Sequence, residues 1–286
     1  MDEVEQAREA FKLSRKSFKE LSVDNVATVD RLISIDNLTV PLRIYTPKGH
    51  GPFPILIYFH DGGFVLGDLD SSDNLCRYLS KNSSRIVVSV DYRLAPENPY
   101  PAALEDALGA VRWVNDFASE LNGNNKNLAL VGSSAGGNLA AQATIYFRNS
   151  EEVCIDSQWL FYPWLNFETS SDSHRSHGKG YNLTTEELKW FTKNYLPSNI
   201  DLNSPEISPL HHKKLNDLPY TIILVAQLDP LKDDGTMYAK ALVDAGNEVD
   251  YKCCKNLPHS FLSMAGEIHE AREVLDDLVY KLKKRN

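Results

Sequence analysis

Short apolar runs alternate with longer stretches in which apolar residues recur every three or four positions, and this alternation is the dominant pattern of the chain. Residues 55–59 (ILIYF), 86–90 (IVVSV), 128–131 (LALV), 157–162 (SQWLFY), 221–226 (TIILVA) and 248–254 (EVDYKCC) read as strands, the most apolar of them buried on both faces. Leu104, Leu108, Val111, Val114, Phe117 and Leu121 fall at helical spacing ahead of the strand at 128. Near the C terminus, Ile268, Ala271, Leu275, Leu278, Val279 and Leu282 trace a second helical stripe, which predicts that this face is core. Val4, Ala7, Phe11, Phe18 and Leu21 predict an N-terminal helix that lays one face on something apolar. The chain of 286 residues has room for one large domain or two small ones. Strands alternating with helices from residue 55 onward favour a single α/β domain over 1–286, without internal repeats.

One segment, about residues 163–215, breaks the alternation and is too long for a simple crossover. A helix is expected within it, capped by Thr184 or Thr185 with Glu186 or Glu187 in its first turn, and running to about Leu196 before Pro197. Trp164, Phe167, Tyr181, Trp190, Phe191 and Tyr195 make this insertion aromatic.

The formal net charge of −9 argues against a general attraction to nucleic acid or anionic lipid. Lys12, Arg15, Lys16 and Lys19 therefore read as a solvated helix face rather than a stable membrane anchor, and Lys283, Lys284 and Arg285 as cations that suit a helix C-terminus. The opening residues lack a secretory pattern and no apolar run is long enough to span a bilayer, so the cytoplasm is the expected compartment. Cys76, Cys154, Cys253 and Cys254 have no zinc-like spacing and read as reduced packing residues, with the adjacent pair on opposite faces of a strand. His174, His177, His211 and His212 lack the carboxylates or cysteines that would complete a metal site, and read as solvated loop residues. No phosphate-binding or dinucleotide-binding glycine loop appears, so no cofactor is expected.

Candidate chemistry begins at Gly132, Ser133, Ser134, Ala135 and Gly136, a Gly-x-Ser-x-Gly sequence between an apolar strand and a helix-like segment. A serine on such a sharp turn presents its hydroxyl above the sheet, although serine between glycines is also what a flexible loop looks like. Upstream, the strand at 55–59 runs into His60, Asp61, Gly62, Gly63 and Phe64, where paired glycines either let amides approach an oxyanion or simply make a turn. Asp229 follows the strand at 221–226 and suits the orienting of an imidazole, the alternative being an Asp-Pro turn opening a helix that Asp233 or Asp234 could also cap. His259 follows the last strand, where a side chain with proton affinity near neutrality can accept and return a proton.

Taken together, these motifs resemble the hormone-sensitive-lipase-like branch of the α/β-hydrolases, over roughly residue 40 to the end. Residues 60–64 (HDGGF) resemble the family's His-Gly-Gly-Gly element, and 132–137 (GSSAGG) its Gly-Asp-Ser-Ala-Gly-Gly elbow. Between them, 91–97 (DYRLAPE), 101–103 (PAA) and Asp106 match the linking stretch, while 229–231 (DPL) and 259–261 (HSF) fall where acid and base belong. The resemblance implies an α/β-hydrolase fold, with a mostly parallel sheet, helices on both faces and a helical cap made from about 1–25 and 163–215. It further implies Ser134 as nucleophile, His259 as general base and acid, Asp229 as orienting carboxylate, and the amides of Gly62, Gly63 and Ala135 as oxyanion donors. The expected partners are a small, short-acyl ester and water. An amide or formamide hydrolase on the same triad and a non-catalytic binding protein of the same fold are the alternatives, and a homodimer through 248–254 and the following segment stays open. Two positions depart from the family pattern: Asp61 stands at its first glycine position, and Ser133 replaces the aspartate before the nucleophile.

Overall fold

The apolar runs fold as β3 (Phe53–Phe59), β4 (Ile86–Val90), β5 (Gly123–Ser133), β6 (Ile155–Phe161), β7 (Tyr220–Leu228) and β8 (Val249–Pro258). In the computed structural model, which describes residues 3–24, 26–35 and 38–285, β1 (Ala27–Ile35) and β2 (Leu38–Thr46) complete an eight-stranded sheet. Its order is β1-β2-β4-β3-β5-β6-β7-β8. The two β1–β2 and β2–β4 pairings are antiparallel and all others are parallel. Met1, Asp2 and Asn25, part of the N-terminal cap segment expected from the sequence, lie outside the described residues.

Because side chains alternate along a strand, each central strand feeds two cores. Ile55, Ile57 and Phe59 of β3, with Leu128 and Leu130 of β5, pack on one side; Leu56, Tyr58, Ala129 and Val131 pack on the other. The first side is covered by α3 (Ala102–Phe117), α4 (Ala135–Phe147) and α7 (Lys232–Asp244), through residues such as Ala107, Leu139 and Leu242. The second is covered by α2 (Asp73–Ser83) and α8 (His269–Lys284), through Leu75, Leu79, Leu275 and Leu278. The insertion supplies α5 (Asp172–His177) and α6 (Thr185–Tyr195), and α1 (Glu3–Ser17) stands at the N terminus. Among the described residues no helix is long and apolar enough to cross a membrane.

Several expectations change in the structure. The α3 stripe that meets the sheet is Ala103, Ala107, Ala110, Val111 and Val114, whereas Leu104 and Leu108 are half-buried and Phe117 is exposed. Small side chains let the helix approach closely: a Cβ on Gly109 would fall 2.3 Å from an Ile35 methyl. The helix also stops at Phe117, and a following 3-10 turn returns Leu121 to the core. Helix α1 ends at Ser17, short of Phe18 and Leu21, and buries none of its residues fully. Arg15 is no part of a solvated face, since its side chain is 9% exposed and ion-paired. Cys154 is exposed, so it does not pack, while Cys253 and Cys254 do join opposite cores. His174 is buried in α5, with Nδ1 hydrogen-bonded to Ser171, and His211 is half-buried, 3.1 Å from the Asn166 amide oxygen. These two histidines are packed rather than solvated, because the insertion folds back onto the body.

Candidate active site

At the carboxyl end of β5 the backbone turns sharply into α4 through Ser134, whose φ of 54° and ψ of −118° place it in a region that L residues rarely occupy. The turn is tight enough to exclude side chains on either side. A Cβ on Gly132 would fall 2.0 Å from the Gly136 carbonyl oxygen, and one on Gly136 2.0 Å from that of Phe59. The strained residue is held by its neighbours: its amide donates to Phe161, and its carbonyl accepts from the amides of Gly137, Asn138 and Trp164. Ser134 thus sits at the N-terminal end of α4, where aligned peptide dipoles favour negative charge.

From β8 the chain delivers His259 immediately after Pro258, and from β7 it delivers Asp229 immediately after Leu228. His259 Nε2 lies 2.9 Å from Ser134 Oγ, and His259 Nδ1 lies 2.7 Å from Asp229 Oδ2. With Nδ1–H donating to the carboxylate, Nε2 is left to accept the serine proton. The other Asp229 oxygen accepts from the Leu231 amide at 2.9 Å, which fixes the carboxylate plane. Asp229 is fully buried and His259 and Ser134 each 5% exposed, so little water competes for these bonds. Asp233 and Asp234 do not cap α7: Asp233 accepts from the Ser173 amide, and Asp234 is buried, its carboxyl pushed well above the usual range by burial and the charges of Asp229 and Asp233.

The third element is the loop after β3. His60 is buried, stacks on Tyr92 with ring centres 4.2 Å apart, and donates from Nδ1 to the Asp61 carbonyl at 2.7 Å; Tyr92 in turn donates to the His60 carbonyl. Gly62 and Gly63 have φ of +121° and +63°, and a Cβ on either would strike the Leu66 carbonyl or the Phe191 ring. The Gly62 carbonyl accepts from Val65 and Leu66, while among the described residues no protein group engages the Gly62 and Gly63 amides. The stretch that links the two loops is itself tied down: Asp106 accepts from the Arg93 amide and guanidinium at 2.8 and 2.9 Å. Of the two departures from the family pattern, Ser133 shares a buried hydrogen bond with Tyr58 at 3.0 Å, and Asp61 pairs with Arg15 and Ser260.

Ser134, His259, Gly62 and Gly63 open on a cavity of about 270 Å³ walled by Phe11, Phe18, Leu66, Trp164, Leu183 and Phe191. A larger cavity of about 920 Å³ lies along α1 and shares Phe11, Arg15 and Phe18 with it, but contains none of Ser134, Asp229 and His259. The smaller cavity is the one that Ser134 and His259 face. Sequence reasoning missed three residues around His259. Asn182 donates to the His259 carbonyl at 2.9 Å, Ser260 donates to Asp61, and the Tyr162 ring meets the imidazole edge-on at 5.0 Å. Burial pushes the Tyr162 phenol upward, so it stays neutral. The adjacency of Ser260 to His259 was a usable signal; Asn182, in the insertion, carries none.

A family sequence profile described as alpha/beta hydrolase fold matches residues 56–263. A carboxylic ester hydrolase of Mycobacterium tuberculosis is 41% identical over 231 residues, which is 79% of this chain but 61% of that protein's length. An ethyl acetate hydrolase of Pseudomonas putida is 35% identical over 248 residues, covering 85% of this chain and 78% of that protein. Among solved structures, a hyperthermophilic esterase from Pyrobaculum calidifontis superposes with a TM-score of 0.93 at 34% identity, covering 99% of this chain and 94% of its own.

Proposed function

The chain belongs to the alpha/beta hydrolase fold family, and on that premise we propose that it is a serine carboxylesterase acting on small, short-acyl esters through an acyl-enzyme at Ser134. His259 Nε2 takes the proton from Ser134 Oγ as the oxygen attacks the ester carbonyl, and the negative charge that develops on the carbonyl oxygen falls to the amides of Gly62, Gly63 and Ala135. Asp229 keeps the ring in the tautomer with Nδ1 protonated and stabilises the imidazolium. As the carbon–alkoxy bond breaks, the imidazolium returns the proton to the leaving alkoxide, which departs as alcohol. Water then gives a proton to His259 and attacks the acyl-enzyme; collapse releases the carboxylic acid and restores the serine hydroxyl.

The reading is carried by the unbroken hydrogen-bond path from Ser134 through His259 to Asp229, beside two glycine amides that no protein group engages among the described residues. A reaction cavity of about 270 Å³, below the usual range of ligand pockets and closed by aromatic rings, supports the short-acyl preference. The relatives named as ester hydrolases point the same way. The proposal includes action in the cytoplasm, which suits four unpaired cysteines, and pairing of two copies along the outer strand β8.

A panel of p-nitrophenyl esters differing only in acyl length, run on the parent and on Ser134→Ala, tests this. The parent rate is expected to peak at about two to four acyl carbons, and the variant to lose several orders of magnitude in kcat. A maximum at long chains contradicts the substrate class, faster turnover of anilides or N-formyl amides makes the protein an amide hydrolase, and a variant that keeps the parental rate removes the assignment of Ser134.

A further inference from the structure

Asp61 stands where the resembling family has glycine, and its carbonyl belongs to the same peptide as the Gly62 amide. Its carboxylate is buried and has partners from two distant segments. Arg15 Nη2, at the C-terminal end of α1, lies 2.5 Å from Oδ2, and Ser260 Oγ, on the residue after His259, donates to the same oxygen at 2.9 Å. The Asp61 main chain is engaged as well, its carbonyl accepting from His60. Arg15 is held in turn, its guanidinium 4.6 Å from the centre of the Phe11 ring and 5.9 Å from that of Phe18. Helix α1 is moored a second time by Arg8, which donates to the carbonyls of Val65 and Ala95. One buried carboxylate therefore joins the oxyanion loop, the loop of the base and the helix that walls the reaction cavity.

A buried ion pair contributes little net stability, because the desolvation of both charges offsets their attraction, so its value lies in the geometry it fixes. We propose that Arg15, Asp61 and Ser260 form a latch that sets the oxyanion loop against His259, and that Arg15 and Asp61 are positioning residues for the acyl-transfer steps. The inference rests on the esterase reading given above. Oxyanion donors act where charge develops, so a loop displaced by a fraction of an ångström loses transition-state stabilisation while substrate binding is little affected. The effect belongs in kcat. A helix that served only as a wall would affect KM instead.

The test is a cycle of Arg15→Gln, Asp61→Asn and the double variant, together with Arg15→Lys and Ser260→Ala, assayed with p-nitrophenyl acetate and followed by thermal melting. Arg15→Gln and Asp61→Asn are each expected to lower kcat about tenfold to a hundredfold, with KM changed less than about threefold. The double variant should fall no further than the worse single one, because both remove the same contact. Arg15→Lys should recover most of the loss. Ser260→Ala leaves α1 and the ion pair in place, and is expected to lower kcat about threefold or more while the protein still melts cooperatively; it decides the matter if the charge variants fail to fold. Variants with parental kcat, losses confined to KM, or additive losses in the cycle overturn the latch. A parent that hydrolyses the ester only while Ser134 is intact keeps the esterase reading standing in that event, so the two failures are distinguishable.

Discussion

At Asp229 a single side chain does two things: Oδ1 fixes the turn into α7 through the Leu231 amide, and Oδ2 orients the imidazole of His259. Asp229→Asn keeps the size of the side chain but offers an amide where a carboxylate accepted from Nδ1–H, which favours the tautomer whose Nε2 carries the proton and cannot act as base. Its kcat is expected to fall by about four orders of magnitude with the melting temperature little changed, and stopped-flow or long-incubation assays on the same ester read the difference. Ser134, Gly62, Gly63 and Asp229 were legible in the sequence because each closely follows an apolar run, and His259 because it follows the last strand; glycine is demanded at Gly62, Gly132 and Gly136, where a Cβ would fall 2.0–2.1 Å from a backbone oxygen. Arg15 and Ser260 were not legible as partners of Asp61. Their contacts span 46 and 199 positions, and nothing local marks a surface-like arginine on a polar helix as buried.

Among the elements, those packed on both faces announce themselves and those at the margins do not. Strands β3 to β7 were readable from largely apolar runs, the outer strand β8 from the β-branched, aromatic and cysteine residues of 248–254, and α6 from Thr184 and Glu187, which form a reciprocal capping box. Strand β1 was not, because it sits at the edge of the sheet with Val29 and Leu32 turned outward, 55% and 74% exposed, so its apolar residues do not mark a buried face. Helix α2 was missed for a related reason: Leu75, Cys76 and Leu79 pack beneath it, but polar and charged residues interrupt the stripe. Helix α5 carries a consequence of its own. Burial pushes the His174 imidazole below its usual value, against a smaller opposing pull from Asp229 and Asp233 and a push from Arg175 in the same direction as burial. The unfolded chain therefore takes up a proton near pH 6.5 that the folded one refuses, and stability is lost as pH falls from about 6.5 to the lowered folded value. His174→Gln, which does not titrate, is expected to show a smaller drop in melting temperature between pH 7 and pH 5 than the parent; equal drops would mean that His174 does not contribute.

Across the whole molecule, the parallel sheet brings β3, β5, β7 and β8 to a common edge, and the loops at their carboxyl ends carry Gly62 and Gly63, Ser134, Asp229 and His259. The serine and the histidine are 125 positions apart, and the strand order is what carries them to 2.9 Å. Phe11 of α1, Phe18 just after it, and Trp164 and Phe191 of the insertion close this edge, which keeps the cavity at Ser134 small, while the larger cavity along α1 contains none of Ser134, Asp229 and His259. The central claim is that one activated serine carries the acyl group. Peptide mass mapping after treatment with a fluorophosphonate, with residual ester hydrolysis measured on the same samples, tests it most directly. The account predicts one adduct per chain, on the peptide containing Ser134, with activity lost in proportion to labelling; an adduct elsewhere, or full activity in a fully labelled protein, would contradict it.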